Sequence, residues 1–279
     1  MLTSPRAPRV AAARRLARRA MRQAERRFLV EGPQAVAEAL AEPGAVVEVF
    51  ATAEAGERVA ALVAAAGSAG LPVQLVSGEV MSSLAQTVTP QGIVAVARFR
   101  DVPLAEIVAL PPRLVAVLAA VRDPGNAGTV LRAADAAGAD AIVLTDASVD
   151  PYNGKCVRAS AGSLFHLPFA VGVPARLAVA ELRAAGLAVL AATGAGGIDI
   201  DALEAAGELA GPTAWIFGNE AWGLPDDLLG LADKAVRVPI HGRAESLNLA
   251  TAATVCLYAS ARAQRRPGGC RGDESPEKT

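Results

Sequence analysis

Leu114-Val115-Ala116-Val117-Leu118-Ala119-Ala120-Val121 is an unbroken apolar run, and it empties into Arg122-Asp123-Pro124-Gly125-Asn126-Ala127-Gly128-Thr129-Val130-Leu131-Arg132. A strand without polar alternation is buried on both faces, as in a parallel sheet covered by helices. The Gly-rich turn after it feeds a helix whose N-terminus suits an anion. Spacing alone puts Arg132 in the first turns of that helix. Four more runs repeat the apolar pattern: Ala141–Leu144, Leu187–Ala192, Ala214–Phe217 and Ala235–Val238. Helices are predicted near 127–138, 153–163, 175–185 and 245–264. Open parallel sheets bind ligands beyond the C-terminal ends of their strands, and the polar residues of this half gather there.

Two further clusters follow such strand ends. Phe217-Gly218-Asn219-Glu220-Ala221-Trp222-Gly223-Leu224-Pro225 carries two glycines that permit a tight bend beside a ligand. Asn219 and Glu220 are expected to point into the crevice. Val238-Pro239-Ile240-His241-Gly242-Arg243-Ala244-Glu245-Ser246-Leu247-Asn248 ends a strand and starts a helix. Ser246 is expected at the N-cap and Asn248 in the first turn.

Upstream, Phe28-Leu29-Val30 reads as a strand and Gly32-Pro33 opens a helix to about Leu40. Strands are predicted at Val46–Phe50, 72–76 and Ile93–Phe99, with helices at 55–66 and 78–85. This alternation describes a small α/β domain spanning 22–100. Residues 101–112, ending in Pro111-Pro112, read as a linker to a larger domain at 113–264, and 265–279 reads as a disordered tail. Residues 8–27 are predicted as a basic helix or a solvated arm.

The chain has 279 residues, 52% hydrophobic and 20% charged, which excludes a disordered protein and permits a sizeable core. Its net charge of −1 hides an asymmetry. Residues 1–27 hold nine arginines against one acid, Glu25, a net +8, so the remainder carries −9. Such a segment, with residues 1–21 as its arm, suits RNA, DNA or anionic lipid. It also fits a transit peptide, but it lacks the apolar core of a secretory signal. Lysines are confined to Lys155, Lys234 and Lys278, as a GC-rich genome would favour. Cys156, Cys256 and Cys270 have no paired spacing, so neither a disulfide framework nor a zinc site is expected, and a reducing cytoplasm is the default. His166 reads as packing or loop and His241 as loop, neither with a second metal ligand at useful spacing. No uninterrupted apolar run is long enough to predict a membrane span.

Several familiar sites fail. Gly194-Ala195-Gly196-Gly197-Ile198-Asp199 puts Asp where a dinucleotide fingerprint needs its third glycine. There is no phosphate-binding G-x-x-x-x-G-K-[ST] and no G-x-S-x-G nucleophile elbow.

Taken in order, the three clusters resemble the SpoU (TrmH) class of SPOUT methyltransferases. Asn126-x-Gly128-x-x-x-Arg132 is similar to that family's first motif. Phe217-Gly218-Asn219-Glu220-x-x-Gly223-Leu224 is similar to its second. Val238-Pro239-Ile240 with Ser246-Leu247-Asn248-x-x-x-Ala252 and Leu257-Tyr258 is similar to its third. Arg158-Ala159-Ser160-Ala161-Gly162-Ser163 matches a segment between motifs. Residues 22–99, including Arg27-Phe28-Leu29-Val30-Glu31-Gly32, are similar to the substrate-binding domain of ribosomal RNA members.

The resemblance implies an α/β fold: a small substrate-binding domain, then a parallel-sheet domain with a C-terminal trefoil knot, an exception to the rule that chains do not knot. It also implies a homodimer with sites near the interface. The implied reaction is transfer of a methyl group from S-adenosylmethionine to a ribose 2′-hydroxyl of RNA, without a metal. In it Arg132 would hold the target phosphate and hydroxyl oxygen, favouring the alkoxide, with Asn126, Glu220, Ser246 and Asn248 orienting the groups. Gly218, Asn219, Val238, Ile240 and Leu247 would hold the adenosine, with Leu190–Thr193 under the adenine. The N-terminal domain favours 23S ribosomal RNA over transfer RNA, and antibiotic-resistance methylases share this layout. A catalytically inactive RNA-binding member would show a spoiled motif, and Asn126, Arg132, Glu220, Ser246 and Asn248 are all present. A nucleotide-binding oxidoreductase is disfavoured by the failed glycine pattern.

Overall fold

The computed structural model describes residues 1–219 and 221–266. Two helices open it, α1 (Pro8–Arg15) and α2 (Arg19–Glu25). Then come β1 (Arg27–Glu31), α3 (Pro33–Ala41), β2 (Val46–Thr52), α4 (Glu57–Ser68), β3 (Val73–Val76), α5 (Gly78–Leu84) and β4 (Ile93–Arg98). The four strands form one sheet, ordered β1-β4-β2-β3. Successive side chains point to opposite faces, and in β1 and β4 both faces are buried. Phe28, Val30, Ile93, Ala95 and Ala97 face α3 and α4, whereas Leu29, Val94 and Val96 face α1 and α5.

The second half runs α6 (Leu104–Ala109), β5 (Leu114–Leu118), α7 (Pro124–Ala137), β6 (Ala141–Thr145), α8 (Gly154–Ser160), β7 (Phe169–Val173), α9 (Ala175–Ala184) and β8 (Ala188–Ala192). It continues with β9 (Ile198–Asp199), α10 (Ile200–Ala205), β10 (Thr213–Phe217), α11 (Asp226–Leu229), β11 (Lys234–Arg237) and α12 (Leu249–Arg265). Its seven strands form a wholly parallel sheet, ordered β7-β6-β5-β10-β8-β11-β9. The unbroken apolar runs are explained by burial on both faces. Leu114, Ala116, Leu118, Trp215 and Phe217 pack with α7 and α12, and Val115, Val117, Ala214 and Ile216 pack with α6 and α9. Among the described residues no helix is long and apolar enough to cross a membrane.

The fold corrects several expectations. Residues 101–112 are not a free linker, because α6 buries Leu104 and Ile107 against the parallel sheet. The strands at 169–173 and 198–199 are additional to those predicted. The helix near 153–163 stops at Ser160, where Ala161 (φ 50°) and Gly162 (φ 105°) turn the chain left-handed. The helix predicted from 245 begins at Leu249 and extends through Arg265, so the expected tail cannot start at 265. The remainder of that tail, 267–279, lies outside the described residues.

The basic N-terminal segment is neither one helix nor a loose arm. Val10, Ala13 and Leu16 are buried against Leu29, Phe50 and Val76, and Leu2 bridges to Val76. Between α1 and α2 the carbonyls of Leu16 and Ala17 accept from the Arg22 guanidinium at 3.0 and 2.8 Å, which satisfies groups a helix end leaves orphaned. The same guanidinium donates to Asp150 Oδ2 at 2.6 and 3.0 Å, with both side chains buried. Arg6, Arg9, Arg14, Arg15, Arg18 and Arg19 remain exposed.

The two halves share one core. Tyr152 stacks on Phe99 with ring centroids 3.7 Å apart and lies 4.7 Å from Phe28. Its hydroxyl donates to Asp101 Oδ1 (2.6 Å) and accepts from the Arg100 and Asp101 amides, and burial beside Asp101 pushes its pKa up. His166, expected as packing or loop, lies in the turn after a 3-10 helix and bridges the halves at the surface. It meets Asp135 at 2.7 Å and Glu38 at 3.2 Å.

Asp135, and with it Glu38, raises the His166 pKa above the ordinary 6.5. A raised imidazole pKa contributes stability that is complete below the unfolded value and lost as pH rises through the folded one. Half-exposed pairs contribute little, so His166→Gln is expected to lower Tm by about 1–4 °C at pH 5.5 and by nothing measurable at pH 9. Calorimetric melts at the two pH values check this; an equal deficit at both would contradict the charge-based bridge.

Candidate cofactor cleft

β5, β10, β8 and β11 are consecutive neighbours, so their C-terminal loops leave the sheet side by side. There a cleft of about 520 Å³ opens, the size of a site for a drug-sized ligand. Its walls are Ala192–Gly194 after β8, Phe217–Asn219 and Gly223 after β10, Val236–Ile240 at β11, and Glu245–Leu247 before α12. All six residues predicted to hold a cofactor line it: Thr193, Gly218, Asn219, Val238, Ile240 and Leu247. Ser246 lines it as well.

The loop after β10 is closed on itself. The Asn219 and Gly223 amides donate reciprocally to each other's carbonyls at 2.9 Å, with Gly223 at φ 71°. A Cβ on Gly218 would fall 2.5 Å from the Gly223 backbone, so only glycine permits this approach. Asn219 is buried, and its amide is engaged within the protein. Nδ2 donates to the Ala120 carbonyl at 2.8 Å, and Oδ1 accepts from the Ala221 amide at 2.9 Å. Its side chain therefore builds the wall rather than reaching into the crevice as expected. Asp199 and Arg237 pair across the cleft's edge, and Arg237 holds the Asp199 carboxyl below its usual range.

The first and third motifs meet beside the cleft. Asp123 caps α7, accepting from the Asn126 amide at 2.8 Å, and its pKa is lowered chiefly by its bond to Lys155 at 2.6 Å. The cap signal was legible as Asp before Pro at the first helical position. Asn248 Nδ2 donates to Asn126 Oδ1 at 3.1 Å, and Asn248 Oδ1 accepts from the Ala250 and Thr251 amides. Asn248 is thus the N-cap of α12, not a first-turn residue, and Ser246 is an exposed loop residue rather than the cap. Gly128 permits α7 to approach α8, since a Cβ there would lie 2.3 Å from the Cys156 carbonyl.

Arg132 is exposed in the third turn of α7, further along than predicted, and is not part of the cleft lining. Glu220 lies outside the described residues. Sequence reasoning did not single out the Arg122–Trp222 pair, in which the guanidinium carbon lies 5.0 Å from the ring centroid.

A family model for the SpoU rRNA Methylase family matches residues 113–258. A second, for RNA 2'-O ribose methyltransferase substrate binding, matches residues 29–102. The chain is 37% identical over 232 residues to the 23S rRNA (guanosine(2553)-2'-O)-methyltransferase RlmP of Bacillus subtilis, covering 83% of this chain and 87% of that protein. It superimposes on an AdoMet-bound rRNA methyltransferase from Sinorhizobium meliloti with a TM-score of 0.82 and 33% identity, over 94% and 97% of the two chains. The SpoU methyltransferase AviRb from Streptomyces viridochromogenes, in complex with AdoMet, gives 0.79 at 28% identity over 92% and 98%.

Proposed function

This chain belongs to the SpoU rRNA methylase family, and on that premise we propose that it methylates a ribose 2′-hydroxyl of 23S ribosomal RNA in the cytoplasm, using S-adenosylmethionine. The observation that carries the reading is the cleft, where six residues from three separated stretches of sequence converge. Its character suits an adenosine. Backbone at Gly218, Val238 and Ile240 offers donors and acceptors, and Leu247, Leu249 and Ala252 offer apolar surface. When bound, the cofactor supplies a methyl group on a sulfonium, already electrophilic.

The chain's own residues then have to bring the ribose hydroxyl to bear and take up its charge. Arg132 is assigned to the target phosphate and the hydroxyl oxygen, where a guanidinium favours the alkoxide. The Asn126–Asn248 hydrogen bond holds the starts of α7 and α12 together, and Ser246 stands at the cleft's mouth. Glu220 is assigned to orienting these groups from the second motif.

Three further assignments rest on the same reading. A second copy of the chain covers the strips that α7 and α12 leave exposed, which include Arg132 on one helix and Val255 and Tyr258 on the other. A knotted passage of the chain is supported by β11, which inserts between β8 and the earlier β9 before α12 crosses back to α7. The exposed arginines of α1 and α2 face the RNA, outside the matched substrate-binding segment.

Transfer of tritiated methyl from the cofactor to unmodified 23S rRNA, with ribose mapping of the product, tests the reading directly; no incorporation would defeat it. Arg132→Ala is expected to cut that transfer by roughly 10²-fold or more while calorimetric cofactor affinity stays unchanged, with Lys a poor substitute. Analytical ultracentrifugation is expected to show a dimer, and an active monomer would remove the second copy from the scheme. Deleting residues 1–20 would uncover Leu29, Phe50 and Val76, so substitution is the cleaner probe of the basic helices. Replacing Arg14, Arg18 and Arg19 with Gln is expected to weaken RNA binding and flatten its salt dependence by roughly 0.7–0.9 for each phosphate no longer neutralised. Superimposable filter-binding curves would retire these arginines as RNA ligands.

A further inference from the structure

Only two tryptophans occur in the chain, and they are placed very differently. Trp215 is fully buried in β10, its Nε1 donating to Ser260. Trp222 is 56% exposed, the most exposed aromatic side chain among the described residues. A lone exposed ring is not in itself unusual, and it is the setting of this one that marks it. This ring is not on a loose loop. It sits between Asn219 and Gly223, whose backbones close on each other and both line the cleft. The Arg122 guanidinium, from the loop that opens the first motif, lies 5.0 Å from its centroid. An exposed indole flanked by a guanidinium is a surface on which nucleobases stack, because every base has a π-face and the cation attracts the adjoining phosphate.

Resting on the reading above that RNA is the substrate, we propose that Trp222, flanked by Arg122, is a stacking platform for an unpaired nucleobase at the rim of the cleft. Sequence-specific RNA recognition targets unpaired bases splayed from a helix, and stacking on an aromatic ring is how such bases are held. The platform sets the position of the RNA strand beside the cleft and has no part in holding the cofactor. It also joins the first and second motifs on the RNA side, since Arg122 precedes the α7 cap and Trp222 lies within the 219–223 loop.

The test uses the full chain. Trp222 emission is isolated as the difference between the wild type and Trp222→Phe, with buried Trp215 common to both. Before RNA is added, the difference signal is expected to be quenched readily by acrylamide. A ring protected at that stage would be covered by a second copy of the chain, overturning the proposal. Unmodified 23S rRNA and a single-stranded oligoadenylate are then expected to quench it, whereas inorganic polyphosphate of matching charge is not. Equal quenching by polyphosphate would reduce the site to a charge effect and overturn the platform.

In methyl transfer, Trp222→Ala is expected to raise KM for rRNA roughly 10- to 100-fold, with cofactor affinity unchanged and Trp222→Phe restoring most of the loss. A wild-type KM in Trp222→Ala would also overturn it. Methyl transfer by the wild type reports separately on the enzymatic reading, so failure of that reading and failure of the platform give different results.

Discussion

The side-chain amide of Asn219 is the contact on which the cleft depends. β5 and β10 run parallel in register, Leu118 opposite Phe217, so their loops leave the sheet at one level and have to be kept apart in a defined way. Asn219 does this with both ends of one amide, donating to Ala120 after β5 and accepting from Ala221 within its own loop. Ala120 is held at φ 56°, a left-handed conformation that costs a non-glycine residue about 1 kcal/mol or more. Its amide is satisfied by Thr145 Oγ1 and its carbonyl by Asn219, which offsets that cost. Ala for Asn219 would leave the Ala120 carbonyl without this partner and remove the tie between the two loops. The cleft wall and the start of α7 are therefore one mechanical unit.

A second constraint ties the N-terminal half to that unit. Arg22 and Asp150 form a buried ion pair, and such pairs are favourable only when the remaining donors are also satisfied. Here the Leu16 and Ala17 carbonyls accept from Nη1 of the guanidinium, and the second Asp150 oxygen accepts from the Tyr152 amide. One residue before Asp150, the Val149 amide donates to the Val121 carbonyl, immediately ahead of Arg122. The path from the basic helices to the first motif is thus a short run of buried hydrogen bonds. The arginines of α1 and α2 are presented in fixed relation to the cleft, which a flexible arm would not do.

What was legible in the sequence follows from periodicity and from motif chemistry. Unbroken runs such as 114–121 pointed to the parallel sheet because burial on both faces removes alternation, and Phe28-Leu29-Val30 pointed to a strand of the smaller sheet. Gly218, Val238, Ile240 and Leu247 were singled out by resemblance to the family's motifs, and the fold brings all four to the cleft wall. Other features were masked. Val10, Ala13 and Leu16 form a burying stripe, but the arginines between them make the segment read as solvated. Ser246 and Asn248 are both good caps, and the choice fell to Asn248 because its amide also reaches Asn126 across the fold. α6 carries only two buried anchors, Leu104 and Ile107, too few for a periodic signal. The Arg22–Asp150 pair joins positions 128 residues apart, a separation that no local pattern encodes.

Arg132 stands apart from the cleft lining. It stands six residues beyond Asn126 on a continuous helix, about 9 Å further along the axis. The helix is fixed by Asp123 at its start and by close packing of Gly128 on α8, so rotation of α7 cannot carry the guanidinium into the cleft. The cleft itself is built largely from backbone and apolar side chains, and its lining arginine, Arg237, is already paired with Asp199. That suits a nucleoside and leaves little for a polyanion. Arg122 and Arg132 stand outside it on exposed surface. A reaction between a bound nucleoside-type cofactor and a polyanion benefits from that division, because each ligand meets groups chosen for its own charge. Bringing the two surfaces together is then a matter of how the RNA docks rather than of any side chain swinging into the cleft.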